Sequence, residues 1–127
     1  MSAETRVKSR VGRIILIGRD HNQVVEKRLR AAGSEVVQAT DYEVALDIAR
    51  HQMFDIAVLL SQGSLLNVTE TAFNLRDLNQ RMEIIIVVER RAGNSNRFLQ
   101  QLLEHPIEKT NIVTRRQLQR QLQEWVH

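Results

Sequence analysis

The sequence predicts an α/β domain: a doubly wound five-stranded parallel sheet flanked by helices on both faces. Three observations carry that expectation. The run Ile56-Ala57-Val58-Leu59-Leu60 has no polar face, so a strand there must be covered on both sides, as the central strands of parallel sheets are. Strand-like and helix-like segments alternate five times in 127 residues, and parallel neighbours need crossovers whose right-handedness places helices on both faces. A chain of this length, 43% hydrophobic, suits one core in one domain.

Residues 1 to 12 lack periodicity and read as a flexible basic leader, leaving the domain to residues 13 to 127. Arg13 to Ile17 is a short buried strand ending at Gly18, rich in β-branched residues. Val25, Leu29 and Ala32 share one face of a first helix, with Asn22 as its expected N-cap and Gly33 as its stop. Glu35 to Ala39 is the second strand. Thr40-Asp41-Tyr42-Glu43 matches a capping box, with the Thr40 hydroxyl and the Glu43 carboxylate serving each other's backbone N–H, and Ala45, Ile48 and Ala49 continue the helix.

After the central strand, Leu65, Val68, Ala72, Leu75 and Leu78 form the apolar stripe of a third helix reaching about Asn79. Glu83 to Val88 is the fourth strand. Gly93 to Asn96 is a loop, followed by Phe98, Leu99, Leu102 and Leu103 on a fourth helix that Pro106 ends. Asn111 to Thr114 is the fifth strand, and Leu118, Leu122 and Trp125 form the inner face of a fifth helix.

Composition narrows the chemistry. The absence of cysteine removes disulfides, thiol catalysis and zinc-thiolate sites. No apolar run approaches the roughly 18 to 20 residues that cross a bilayer, and Met1 to Thr5 lacks a signal-peptide core, so a cytoplasmic location is expected. Arg6, Lys8, Arg10 and Arg13 stand against Glu4 near the start, and seven bases in residues 90 to 120 stand against Glu104 and Glu108. Such stretches can meet acidic partners, yet without interleaved aromatic residues nucleic-acid binding is not expected.

His21, His51, His105 and His127 have no ligand-like spacing. The segment Gly18 to Gln23 lies where a dinucleotide fingerprint would, but Asp20 and Gln23 replace its second and third glycines, and an acid there repels pyrophosphate. No phosphate-binding loop or serine elbow is present. The expectation is therefore a non-enzymatic protein with no catalytic residue, metal or cofactor. In parallel sheets of this kind, sites lie outside the carboxyl ends of the strands, here Gly18 to His21, Leu60 to Gly63, Val88 to Arg91 and Thr114 to Arg116.

Ala39-Thr40-Asp41-x-Glu43-x-Ala45-Leu46, Phe54-Asp55 opening the central strand, and Leu75-Arg76-x-Leu78 closing the third helix resemble the receiver domain of bacterial two-component response regulators. The resemblance runs unbroken from about Val36 to Glu89 and more loosely through Arg13 to Gly33 and Asn111 to Trp125. It implies the flavodoxin-like (βα)5 arrangement of the CheY-like fold and a place in phosphorelay signal transduction. Active members of that family hold Mg²⁺ with an acidic pair after strand one, phosphorylate an aspartate after strand three, and place a Ser or Thr after strand four and a lysine after strand five. Each part serves the chemistry: a carboxylate nucleophile, a hard cation with oxygen ligands, and a cation pairing with the phosphoryl oxygens.

The resemblance implies a degenerate pocket here. The acidic pair falls on Gly18 and Arg19, followed by Asp20; the acceptor position falls on Leu60, beside Ser61. Strand four ends Val87-Val88-Glu89, the lysine position falls near Arg115, and Ser64 stands where the family has proline. Cationic Arg19 opposes a divalent ion, and Leu60 is no nucleophile, so aspartyl phosphorylation is not expected. Arg19 is expected either to pair with Asp20 or Glu89 or to extend into solvent, Asp20 to cap a helix, and Ser61 to bond at the strand end. The usual output face of the family, formed by helix four, strand five and helix five, here carries Arg90, Arg91, Arg97, Lys109, Arg115, Arg116 and Arg120. It implies a protein partner or a homodimer through that face, in a pseudo-receiver that works by protein contacts. The alternatives are a conventional phospho-accepting receiver, with Asp55 at the wrong end of its strand, and a nucleotide-sensing βα module.

Overall fold

A computed structural model describes residues 12–61, 65–88, 104 and 107–126 of the chain, without side chains at 65, 66, 125 and 126. The strands are β1 (Arg13–Ile17), β2 (Glu35–Ala39), β3 (Ile56–Leu60), β4 (Glu83–Val88) and β5 (Thr110–Thr114). They form one parallel sheet in the order β2-β1-β3-β4-β5. β5 is one residue longer at its start than the Asn111 to Thr114 pattern.

The two-residue period of a strand divides the apolar runs between the faces. Ile15, Ile17, Ala57, Leu59, Ile84 and Ile86 meet Ala45 of α2 (Tyr42–His51) and Val68, Ala72 and Leu75 of α3 (Leu65–Leu78). On the other face, Ile14, Leu16, Val58, Leu60 and Val87 meet Val25 and Leu29 of α1 (Val24–Ala31) and Leu118 and Leu122 of α4 (Arg115–Val126). Every residue of β3 is buried, as an all-apolar run requires. The expected helix over Phe98 to Leu103, its Gly93 to Asn96 loop, Pro106 and the leader up to residue 11 lie outside the described residues, so α4 is the fifth helix of the sequence pattern.

Three local expectations are corrected. Asn22 does not cap α1: it and Gln23 have φ of 57° and 56° in a short 3-10 turn at His21–Gln23, and the carboxylate of Asp20 reaches across that turn to the helix. Asp41, not Thr40, caps α2, its Oδ1 accepting from the N–H of Glu43 at 2.7 Å and of Val44 at 3.4 Å; a carboxylate one residue closer to the helix reaches both orphan donors at once. Leu78 belongs to the stripe by spacing but is 42% exposed, because α3 ends there and the sheet no longer backs it.

Arg76 is buried near the same helix end, donating to the carbonyls of Asn79 (3.0 Å) and Lys109 (3.2 Å). It thereby ties α3 to the turn before β5, where Lys109 has φ of 54°. At this amino-terminal pole, the Asp55 carboxylate accepts the N–H of Arg13 at 2.9 Å, and the guanidinium of Arg13 lies 4.9 Å from the centre of the Phe54 ring.

Candidate functional site

β1 and β3 are neighbours, and the helices that follow them lie on opposite faces. The crevice of a doubly wound sheet opens at such a switch point, above the strands' carboxyl ends. Gly18, Arg19, Asp20, Leu60 and Ser61 are brought together there, with Val88 and Thr114 ending β4 and β5 and Arg115 next after β5.

The pole is closed by backbone packing. Gly18 has φ of 112° and donates its N–H to the carbonyl of Ala39 at 2.9 Å. A Cβ on it would lie 2.8 Å from the Leu60 carbonyl oxygen and 3.1 Å from the Leu60 Cβ, closer than ordinary contact allows. Only glycine satisfies both the torsion and the approach. The side chain of Leu60 is fully buried against the α1 and α4 side of the core, and its carbonyl accepts the Tyr42 hydroxyl at 3.3 Å. Ser61 continues the ladder, its N–H donating to Val87 at 2.9 Å, while its buried hydroxyl has no hydrogen-bond partner among the described residues.

Asp20 is buried, and both its oxygens are used. Oδ1 accepts from the N–H of Val25 at 3.1 Å and Oδ2 from the N–H of Glu26 at 2.8 Å, while its carbonyl accepts from Gln23. The carboxylate therefore caps α1 and holds the two left-handed residues between, a charge-assisted arrangement favoured by the helix dipole. Arg19 is exposed. At the end of β5, Gln117 Oε1 accepts the Thr114 N–H at 2.8 Å and the Gln117 N–H donates to Thr114 Oγ1 at 3.2 Å. This capping box leaves Arg115 exposed at the first position of α4.

Sequence reasoning missed two of these contributors. Thr114-x-x-Gln117 carries a legible capping-box signal. Tyr42 stood out only as a residue of the expected capping box, and its contact with Leu60 spans 18 residues. Burial raises the Tyr42 phenol above its ordinary value of 10.0. A raised folded-state value means that stability is fully present below the unfolded value and declines as pH climbs through the folded one. Stability is thus expected to fall above about pH 10, and less so in Tyr42→Phe; denaturant melts of both proteins across that range check it.

Of the cationic face, Arg90, Arg91 and Arg97 lie outside the described residues, as do Glu89 and Ser64. Lys109 and Arg115 are both exposed, but they lie at opposite ends of β5, so Lys109 does not join Arg115, Arg116 and Arg120 on α4. Among the described residues no group of three His, Asp or Glu could hold a metal ion, and no helix is long and apolar enough to cross a membrane.

Comparison by sequence finds no family model and no curated protein that matches the chain. Comparison by structure finds receiver domains. The receiver domain of the sensor histidine kinase PA1611 from Pseudomonas aeruginosa, solved with magnesium coordinated in its active-site cleft, superposes with a TM-score of 0.68 at 22% identity, covering 91% of this chain and 98% of that one. The chemotaxis protein CheY4 of Vibrio cholerae gives 0.68 at 19% identity, with coverage of 90% and 98%. The receiver domain of Ssk1 from Saccharomyces cerevisiae, crystallised with the histidine phosphotransfer protein Ypd1, gives 0.64 at 17% identity, with coverage of 91% and 88%. The chain has the CheY-like fold of response-regulator receiver domains.

Proposed function

We propose that the chain is a regulatory domain of bacterial signal transduction, cytoplasmic and of the receiver type, that transmits its signal through protein contacts without accepting a phosphoryl group. The observation that carries this reading is the end of β3. A receiver's acceptor carboxylate would stand there, whereas this chain has the fully buried Leu60, its carbonyl engaged by Tyr42 and covered by Gly18.

The residues around it do not fit the cation either. Mg²⁺ demands several hard oxygen ligands in near-octahedral geometry. Gly18 brings no side chain, Arg19 brings a positive charge, and both oxygens of Asp20 are held by α1. Asp55, just before β3, is at the opposite pole and bonded to the Arg13 N–H. A partner is expected on the face of β5 and α4 bearing Arg115, Arg116 and Arg120, since polar and arginine-mediated contacts suit protein interfaces.

Thermal melts with Mg²⁺ and beryllofluoride, an acyl-phosphate mimic, test the reading. The melting temperature is expected to stay unchanged while that of an active receiver rises; a matching rise in this protein would overturn it.

A further inference from the structure

Among the described residues, the two helical layers carry opposite charge. On the layer of α1 and α4, Lys27, Arg28, Arg30, Arg115, Arg116 and Arg120 are exposed, against exposed Glu124 and the half-buried Glu26. Glu26 is already paired with Arg30 at 2.9 Å, and among the described residues no carboxylate pairs with the other five cations. On the layer of α2 and α3, Asp41, Glu43, Asp47, Glu70 and Asp77 are exposed, against exposed Arg50; Arg76 is buried. The net charge of +3 conceals this separation, which the sheet maintains by holding the layers on its two faces.

Each layer also exposes an aliphatic residue beside its charges. Val24, 40% exposed, begins α1 and has Lys27 and Arg28 three and four residues on. Val44, 50% exposed in the first turn of α2, has Asp41 three residues before it and Asp47 three residues on, with Glu43 adjacent. Residues three and four apart on a helix share a face, so each valine is bordered by charge of one sign, and the signs are opposite. An apolar centre with a charged rim is the usual anatomy of a protein interface, and complementary potentials steer and orient the encounter.

From this complementarity we infer that the protein associates with itself front to back, the α1 and α4 layer of one copy on the α2 and α3 layer of the next. Two basic layers repel, as do two acidic ones, so the symmetric arrangements are disfavoured. The front-to-back contact is heterologous and grows into short open chains unless its rotation closes a ring. The inference does not depend on whether the receiver pocket accepts phosphate. A second copy is preferred over other occupants because both halves of the complementary pair are on this chain.

Sedimentation velocity over a concentration series tests it, at low and high ionic strength. The average mass is expected to rise with concentration at low salt and to return to that of the monomer near 1 M salt, where the Debye length is about 3 Å. Lys27→Glu with Arg28→Glu, and separately Glu43→Lys with Asp47→Lys, are each expected to weaken association about tenfold or more. An equimolar mixture of the two variants should associate again, because the unchanged acidic layer of the first meets the unchanged basic layer of the second. All four positions are exposed, and unchanged circular dichroism would show that the variants fold. A protein monomeric at low salt overturns the inference. So does association abolished by one reversal and untouched by the other, or a monomer that uses Lys27 and Arg28 to bind a polyglutamate peptide or a DNA duplex.

Discussion

Leu60→Asp, which restores a carboxylate to the end of β3, is expected to destabilise the fold by about 3 to 6 kcal/mol without producing a phosphorylatable protein. The side chain of Leu60 is fully buried among Val25, Leu29, Leu118 and Leu122 and the inner residues of the strands. Its burial contributes about 2 kcal/mol, and an aspartate there forfeits that and desolvates a carboxyl group in an apolar site. The group would also lack a metal site, since Gly18 has no ligand to offer and Asp20 is committed to α1. Urea unfolding of both proteins measures the loss; a loss below about 1 kcal/mol would show that the side chain can turn outward as an active acceptor must.

Gly18→Ala is expected to cost at least about 2 kcal/mol, although Gly→Ala commonly stabilises where the backbone allows it. At φ of 112° an L side chain is strained, a cost of order 1 to 3 kcal/mol. The new Cβ would also meet the Leu60 carbonyl oxygen at 2.8 Å. That oxygen belongs to the backbone of a central strand and holds the Tyr42 hydroxyl, so it cannot step aside cheaply. A carboxylate at position 18, the first of the pair that the receiver resemblance implies, is excluded by the same contact. The degenerate pocket is therefore held shut by main-chain packing as well as by the loss of acids. Denaturant unfolding of Gly18→Ala checks this, and a gain in stability would contradict it.

The sheet was legible because apolar runs of four or five residues, broken by polar segments, leave little choice. Ile14 to Ile17, Ile56 to Leu60 and Ile84 to Val88 could only be central strands. Helix starts were harder, since several polar residues compete for each cap. Thr40 and Asn22 were plausible caps by type, and the contest was settled by which carboxylate the tertiary structure brings within reach, Asp41 in one case and Asp20 in the other. The poverty of the pocket in acids could be read from Gly18, Arg19 and Leu60. Its closure could not, because the approach of Gly18 to Leu60 and the reach of Tyr42 join residues far apart in the chain. The opposed charge of the two layers was hidden for a related reason: the sequence shows basic and acidic stretches, but only the crossovers decide which helices share a face.

Intact-mass spectrometry after incubation with Mg²⁺ and acetyl phosphate, beside an active receiver as control, tests the central claim most directly. The mass of this protein is expected to stay unchanged while the control gains one phosphoryl group. A gain of the same size here, removed by hydroxylamine as an acyl phosphate is, would show that a carboxylate of this chain still serves as nucleophile and would contradict the assignment of the acceptor position to Leu60.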